Sequence, residues 1–483
     1  MAAGKSVAIL GGGFTGLRLA YLLNQSGYNV TVIEKDNSLG GMCRTFEYQS
    51  NGDSYLFDYG PHLYFIKYAE EFRGLLGDDL IELTSRFCMY THGKRLSYPL
   101  RPLELVREIG PFRAALYIAD FLYHRLRPRG KNSEHASLES VMTRRFGKKL
   151  FDVFYAPYIE KCCGLPANEI TSMWAREREN VSGRSLMDNV RNKIRFLLHK
   201  TSREHMAKWN SPVAKDITAF YPRLGAGQIC SIMSKALAPE QQLLNARITH
   251  VNCSDGKVSG IAVTTDEGPT VVVADLYVST IPLPELFSLL NPAMPHLSEV
   301  AARLTYRMVR LVCLIVDREW AMDCLQIFSM DRKHAFKRVY EPKSMSDVMA
   351  PRGKTSLCLE VCCNDGDETS SMNAEQLAAR CISDLIDMEV LGSESEVTDS
   401  FVVDIPHAYP VYHKGVEDDC LDLLEGVSSV RNLVSCGRQG LFRYHVMTAE
   451  AMDMAGSVSQ FIENDIEKVH AADRESEWGQ LFF

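Results

Sequence analysis

The chain has 483 residues, 46% of them apolar, and a formal net charge of −8. That length suits two or three domains or one large discontinuous fold. The acidic balance without a long basic run argues against nucleic acid as the main partner, and no uninterrupted apolar run reaches the roughly 18 residues that a bilayer span needs. Fourteen cysteines are scattered, with adjacent pairs at Cys162-Cys163 and Cys362-Cys363 and no C-x-x-C. With no leader-like segment before the first apolar run, reduced thiols, a cytoplasmic location and no metal site are the expectation.

The first predicted element is the apolar run Val7, Ala8, Ile9 and Leu10, which ends in Gly11-Gly12-Gly13-Phe14-Thr15-Gly16. A helical pattern follows at Leu19, Ala20, Leu22 and Leu23. Glycines at 11, 13 and 16 fall as G-x-G-x-x-G. The first allows a tight strand-to-helix turn, the second lets backbone approach a pyrophosphate, and the third lets the helix close on the strand. A second apolar run, Val30 to Ile33, ends in Glu34-Lys35. That carboxylate comes about 20 residues past the glycines, where ribose hydroxyls are held.

Next comes Leu39-Gly40-Gly41-Met42-Cys43-Arg44-Thr45, which resembles the GG-x-x-R-[TS] motif of two-dinucleotide-binding-domain flavoproteins. The resemblance implies FAD, with Gly40, Gly41 and Arg44 against its phosphates and ribityl chain. Phe57-Asp58-Tyr59-Gly60-Pro61-His62 and the residues to Phe65 resemble the G-P-H-x-F stretch of UDP-galactopyranose mutases. More loosely, they resemble the flavin-facing segment of protoporphyrinogen oxidases and amine oxidases. In those relatives this stretch lies by the isoalloxazine, which implies the same for Gly60, Pro61 and His62.

Residues 87–99 alternate as a hairpin turning at His92-Gly93-Lys94. Residues 100–200 are expected to be mainly helical, with a polar break at 128–133. The apolar, aromatic stretch 112–126 contains Arg113, Asp120 and His124 and is expected to be a packed helix. Tyr155-Ala156-Pro157-Tyr158-Ile159-Glu160-Lys161-Cys162-Cys163-Gly164 resembles the Y-x-x-K-x-W-G segment of mutase-like proteins, with Cys163 in place of the aromatic residue. Tyr158 and Lys161 are the candidate substrate contacts. Cations at 176, 178, 184, 191, 193 and 195 suggest a solvated helical face, or else a lip for an anionic substrate. Residues 200–211 are expected to form a loop.

Phe220-Tyr221-Pro222-Arg223-Leu224-Gly225-Ala226-Gly227 resembles the turn that returns the chain to the FAD domain in this superfamily. A strand is expected over 243–251, and resemblance implies that its backbone meets the adenine, at Ile248 or Val251. The stretch 274–282 resembles the strand that closes the FAD sheet, and 311–316 reads as a buried strand. The last motif is Gly437-Arg438-Gln439-Gly440-Leu441-Phe442-Arg443-Tyr444, followed by a helical pattern from Met447. It resembles the superfamily's G-R strand end, so Arg438 is expected at the pyrophosphate and Gly437 and Met447 beside the cofactor. Where mutases continue with Asn and Asp, this chain has His445-Val446-Met447-Thr448.

These motifs imply an α/β flavoprotein. A Rossmann-like FAD-binding domain of the two-dinucleotide-binding-domain type is expected from segments 1–65, 220–284 and 411–470, with an inserted α+β substrate domain from 66–219 and 285–410. The expected activity is FAD-dependent oxidoreduction of a small molecule by hydride transfer to flavin N5. The alternative is a non-redox mutase acting on an anionic nucleotide sugar. His62, Arg443 and Tyr444 are the catalytic candidates near flavin or substrate, and a homodimer is an open option.

Overall fold

The computed structural model describes residues 4–64, 68–98, 100, 102–126, 136–182 and 217–465. Its organising unit is β1 (Ser6–Leu10), α1 (Phe14–Gln25) and β2 (Asn29–Ile33). β1 is the middle of a five-stranded parallel sheet, with β2 and Gln242–Leu243 on one side and Leu276–Ser279 and Leu433–Ser435 on the other. The sheet therefore draws strands from both ends and the centre of the chain. Its inner strands β1 and Leu276–Ser279 are nearly continuous buried runs because both faces are covered: Ile9 and Val278 are fully buried, as is Val32 of β2.

The second large sheet has seven strands. Its core is β3 (Tyr306–Val316), β4 (Arg338–Tyr340), β5 (Thr355–Cys363) and β6 (Val397–Pro410). β3 pairs antiparallel with both β5 and β6. The hairpin Phe87–Thr91 to Lys94–Tyr98 adds two strands at the far edge. Its turn residues His92 and Gly93 both have positive φ, 50° and 74°, as a two-residue loop joining right-twisted strands requires.

The expected strand over 243–251 is in fact two. Gln242–Leu243 joins the parallel sheet, and Arg247–Ser254 belongs to a separate four-stranded sheet. Asn245, with φ 49°, makes the corner between them.

The region after the hairpin is helical: α2 (Pro102–Ile109), α3 (Pro111–Leu126) and, further on, α4 (Ala156–Cys163). The apolar stretch 112–126 forms a helix, as its pattern predicts, but it is not packed on all sides. Only Ala114 of α3 is buried. The chain ends its described part with α5 (Thr448–Asp465), which lies along α1.

Candidate active site

The turn after β1 shows why each glycine is there. A Cβ on Gly16 would sit 2.2 Å from the Gly11 carbonyl oxygen, and Gly11 itself has φ +96°. A Cβ on Gly41 would come 3.0 Å from Gly13 Cα, and one on Gly437 3.1 Å from Thr15 Cβ. Gly13 differs: a Cβ there would meet nothing within 4 Å. Packing therefore does not explain Gly13; an open space for a ligand at the N-terminus of α1 does.

The Glu34 carboxylate accepts the backbone N–H groups of Gly12 (2.8 Å) and Asp36 (3.0 Å). Burial raises its pKa despite those donors. Gly40 N–H bonds the Gly12 carbonyl at 2.7 Å, drawing the second glycine loop onto the first. Arg44 pairs with Asp36 at 2.6 Å and donates to Gly41. Phe14 and Thr15 are buried at the start of α1, and Lys35 is exposed.

Next to this cradle lies a cavity of about 400 Å³. The loop Tyr59-Gly60-Pro61-His62 forms one wall, Tyr158 and Cys162 of α4 another, and residues 444–448, which lead into α5, a third. Lys337, Arg338, Glu360 and Tyr409 close the remaining side. Arg338 and Glu360 face each other across paired strands β4 and β5. Glu360 Oε1 accepts from Arg338 Nε at 2.9 Å, and its Oε2 lies 2.8 Å from Lys337 Nζ. Lys337 Nζ also sits 3.9 Å from the centre of the Tyr409 ring. Burial alone would raise Glu360's pKa, but the two cations overcome it and hold it at about 2. Two cations against one carboxylate leave this wall positive.

His62 is pushed down to about 4, chiefly by burial and then by Arg338, so its imidazole is neutral near pH 7. Its Nδ1 is buried with no protein partner. Arg438 lies over the Tyr409 ring at 5.2 Å and donates to the Ala408 and Tyr444 carbonyls. Its Nη1 is also buried without a protein partner. Beneath the loop, Asp58 is fully buried and accepts from Thr45, Tyr221 and the Ala226 N–H. Burial raises it to about 6 against those hydrogen bonds.

Several expectations need correction. Lys161 does not reach the cavity. Its ammonium donates to Ser329 O and Oγ and to Phe336 O, so it ties α4 to the sheet. Arg443 is committed to Glu177 at 2.9 Å. Glu177 also accepts the N–H groups of Tyr444 (3.2 Å) and His445 (3.1 Å) and shapes this turn. Ile248 and Val251 lie on the strand Arg247–Ser254, opposite Val263 and Ile261, and their adenine role stays an expectation. Leu243 and Ala246 are the residues that bond the Glu34 backbone, each at 2.9 Å. Arg176 pairs with Glu417. The cations at 184, 191, 193 and 195 and the loop 200–211 lie outside the described residues.

The motif reading missed Lys337, Arg338, Glu360, Glu177 and Asp58. One signal was present: Glu360 stands in the apolar run Leu357-Cys358-Leu359-Glu360-Val361-Cys362, and a carboxylate in a two-sided apolar strand requires a paired cation.

The residues fit FAD: a glycine turn left open at Gly13, a buried acid after β2, and two buried polar nitrogens, His62 Nδ1 and Arg438 Nη1, without protein partners. Among the described residues, no group of three or more His, Cys, Asp or Glu could hold a metal ion. Fold and cradle together define a dinucleotide-binding α/β protein. Residues 14–437 match the family model of flavin containing amine oxidoreductases. The chain belongs to that family, and FAD is its cofactor.

It is 22% identical to a mitochondrial protoporphyrinogen oxidase of Nicotiana tabacum over 273 residues, 53% of this chain and 52% of that protein. The match thus spans about half the length of this relative. Two solved structures share the fold at 19% identity. One is a reduced UDP-galactopyranose mutase (TM-score 0.76, 99% of both chains). The other is a putative protoporphyrinogen oxidase from Exiguobacterium sp. 255-15 (TM-score 0.71, 96% of this chain and 99% of that one).

Proposed function

We propose that the protein is an FAD-dependent oxidoreductase that accepts hydride from a small molecule carrying an anionic group. The observation that carries this reading is one cavity lined by both the Gly60-Pro61-His62 loop and the positive wall of Lys337 and Arg338. The two adjoin, since a Cβ on Gly60 would lie 3.8 Å from Glu360 Oε1. A carboxylate or phosphate on the substrate would pair with that wall, and the reacting carbon would then lie toward the loop. When bound, FAD supplies an isoalloxazine that accepts the hydride.

Each role follows from the chemistry of the group. Gly11, Gly13, Phe14, Thr15 and Gly16 form the pyrophosphate turn. Glu34 takes the ribose hydroxyls, and Gly40, Gly41, Arg44, Gly437 and Arg438 flank the phosphates. The strand carrying Ile248 and Val251, with residues 243–246 beside Glu34, is the adenine side. Neutral His62 accepts a proton from the substrate's hydroxyl or amine at Nδ1 as hydride leaves the adjacent carbon. Tyr158, Tyr409 and Tyr444 exclude water around the reacting carbon.

The test is anaerobic mixing of the flavin-loaded protein with candidate substrates. Bleaching of the visible flavin band by an anionic substrate, and its weakening in Arg338→Ala, is the expected result. No bleaching by any alcohol, amine or porphyrinogen-like compound would refute hydride transfer. The positive wall also suits a nucleotide diphosphate, so a mutase reaction on a UDP-sugar is the second reading. Sugar interconversion that appears only after chemical reduction of the flavin would replace the first reading with the second.

A further inference from the structure

α3 presents an apolar stripe to solvent. Phe112 is 77% exposed, Leu116 45%, Ile118 57%, Leu122 48% and Leu126 80%. At 100° per residue these five cover about 160° of the helix, and no charged residue falls within that arc. The opposite face holds the helix to the protein. Asp120 accepts the Lys149 N–H at 3.0 Å, and a Cβ on Gly147 would lie 3.0 Å from Phe121 Cα. The stripe is therefore the outward side of an anchored helix, and its exposure needs a reason.

We propose that this stripe docks α3 flat on an anionic lipid surface. Sixteen residues make a helix of about 24 Å, too short to span a bilayer and long enough to lie in its interface. Charge selects the occupant. In a chain of net charge −8, the described residues 102–126 hold three cations, Arg107, Arg113 and Arg125, and three carboxylates. Each carboxylate already has a partner: Glu104 accepts the Ser97 N–H, Glu108 pairs with Lys94, and Asp120 bonds Lys149. Arg113 and Arg125 are exposed, flank the stripe on its two sides, and form no ion pair among the described residues. Basic residues at the borders of an apolar stripe are the arrangement that inserts side chains among acyl groups and lets guanidinium groups reach phosphates. A second copy fits less well. Two α3 helices packed antiparallel about Ala119 would set Arg113 of each against Arg125 of the other.

The experiment is flotation of the full-length, flavin-loaded protein with vesicles. Phosphatidylcholine vesicles and mixed phosphatidylcholine/phosphatidylglycerol vesicles are compared at low and high salt. Binding to the anionic vesicles that is released by salt is expected. Leu116→Glu with Leu122→Glu should abolish it while flavin content and unfolding midpoint stay unchanged, because both positions face solvent. Arg113→Ala and Arg125→Ala should each weaken binding about fivefold. Wild-type protein that never floats, or glutamate variants that float as well as wild type, would overturn the proposal. A dimer in sedimentation that Leu116→Glu dissociates, with no vesicle binding, would assign the stripe to a second copy instead.

Discussion

Replacing Glu360 by Gln preserves the shape of the side chain and removes the one negative charge between Lys337 and Arg338. All three side chains are largely buried, so two cations would remain in a dry site with one neutral amide between them. Breaking a buried ion pair in this way costs about 3–5 kcal/mol. Linkage gives a similar size: a carboxylate held near 2 rather than at its ordinary 4.5 corresponds to about 3 kcal/mol. With a urea slope of about 3 kcal/mol per molar, the unfolding midpoint should fall by about 1 M.

The sign with pH follows from the depressed value. The wild-type contribution is complete above pH 4.5 and is lost as pH falls toward 2. The gap between wild type and variant should therefore close in acid. Adding Lys337→Met to the variant should recover part of the loss by removing one stranded cation. The assay is urea unfolding of all three proteins at neutral pH and near pH 3. Equal midpoints for wild type and Glu360→Gln at neutral pH would refute the account of the positive wall.

Gly13→Ala should fold normally, because its methyl would meet open space, yet bind FAD at least tenfold more weakly. Gly16→Ala should instead damage folding, since its Cβ would strike the Gly11 carbonyl at 2.2 Å; flavin titration beside thermal unfolding separates the two outcomes. Arg438→Ala should weaken FAD retention about 10- to 100-fold, the range for a hydrogen bond to a charged group, and unchanged flavin occupancy would refute its phosphate role. Asp58 and His62 should oppose each other between about pH 4 and 6. Asp58, raised to about 6, loses stability as pH rises, whereas His62, lowered to about 4, loses it as pH falls. Their slopes, about 1.4 kcal/mol per pH unit each, cancel. Asp58→Asn should expose the His62 slope, so that stability climbs with pH across this window; a flat profile relative to wild type would contradict the pairing.

The nucleotide cradle was legible in the sequence because its chemistry is local. A glycine turn, a strand end and a helix start follow one another within a few residues, and Gly16 closes on the Gly11 carbonyl while Gly13 stays open. The positive wall was not legible. Lys337 and Arg338 precede Glu360 by more than twenty residues, and only the pairing of β4 with β5 brings them together. Lys161 and Arg443 were misread for the same reason: their partners, Ser329 and Glu177, lie far away in the chain. The apolar character of α3 was plain in its composition, but which face met protein and which met solvent was not. By itself, the sequence determined the glycine turn and the parallel core, because short-range backbone geometry and apolar patterning specify them, and its motif resemblances implied FAD and the family. The tertiary structure alone decided the charge of the cavity and the exposure of α3, because both depend on which distant elements pack against each other.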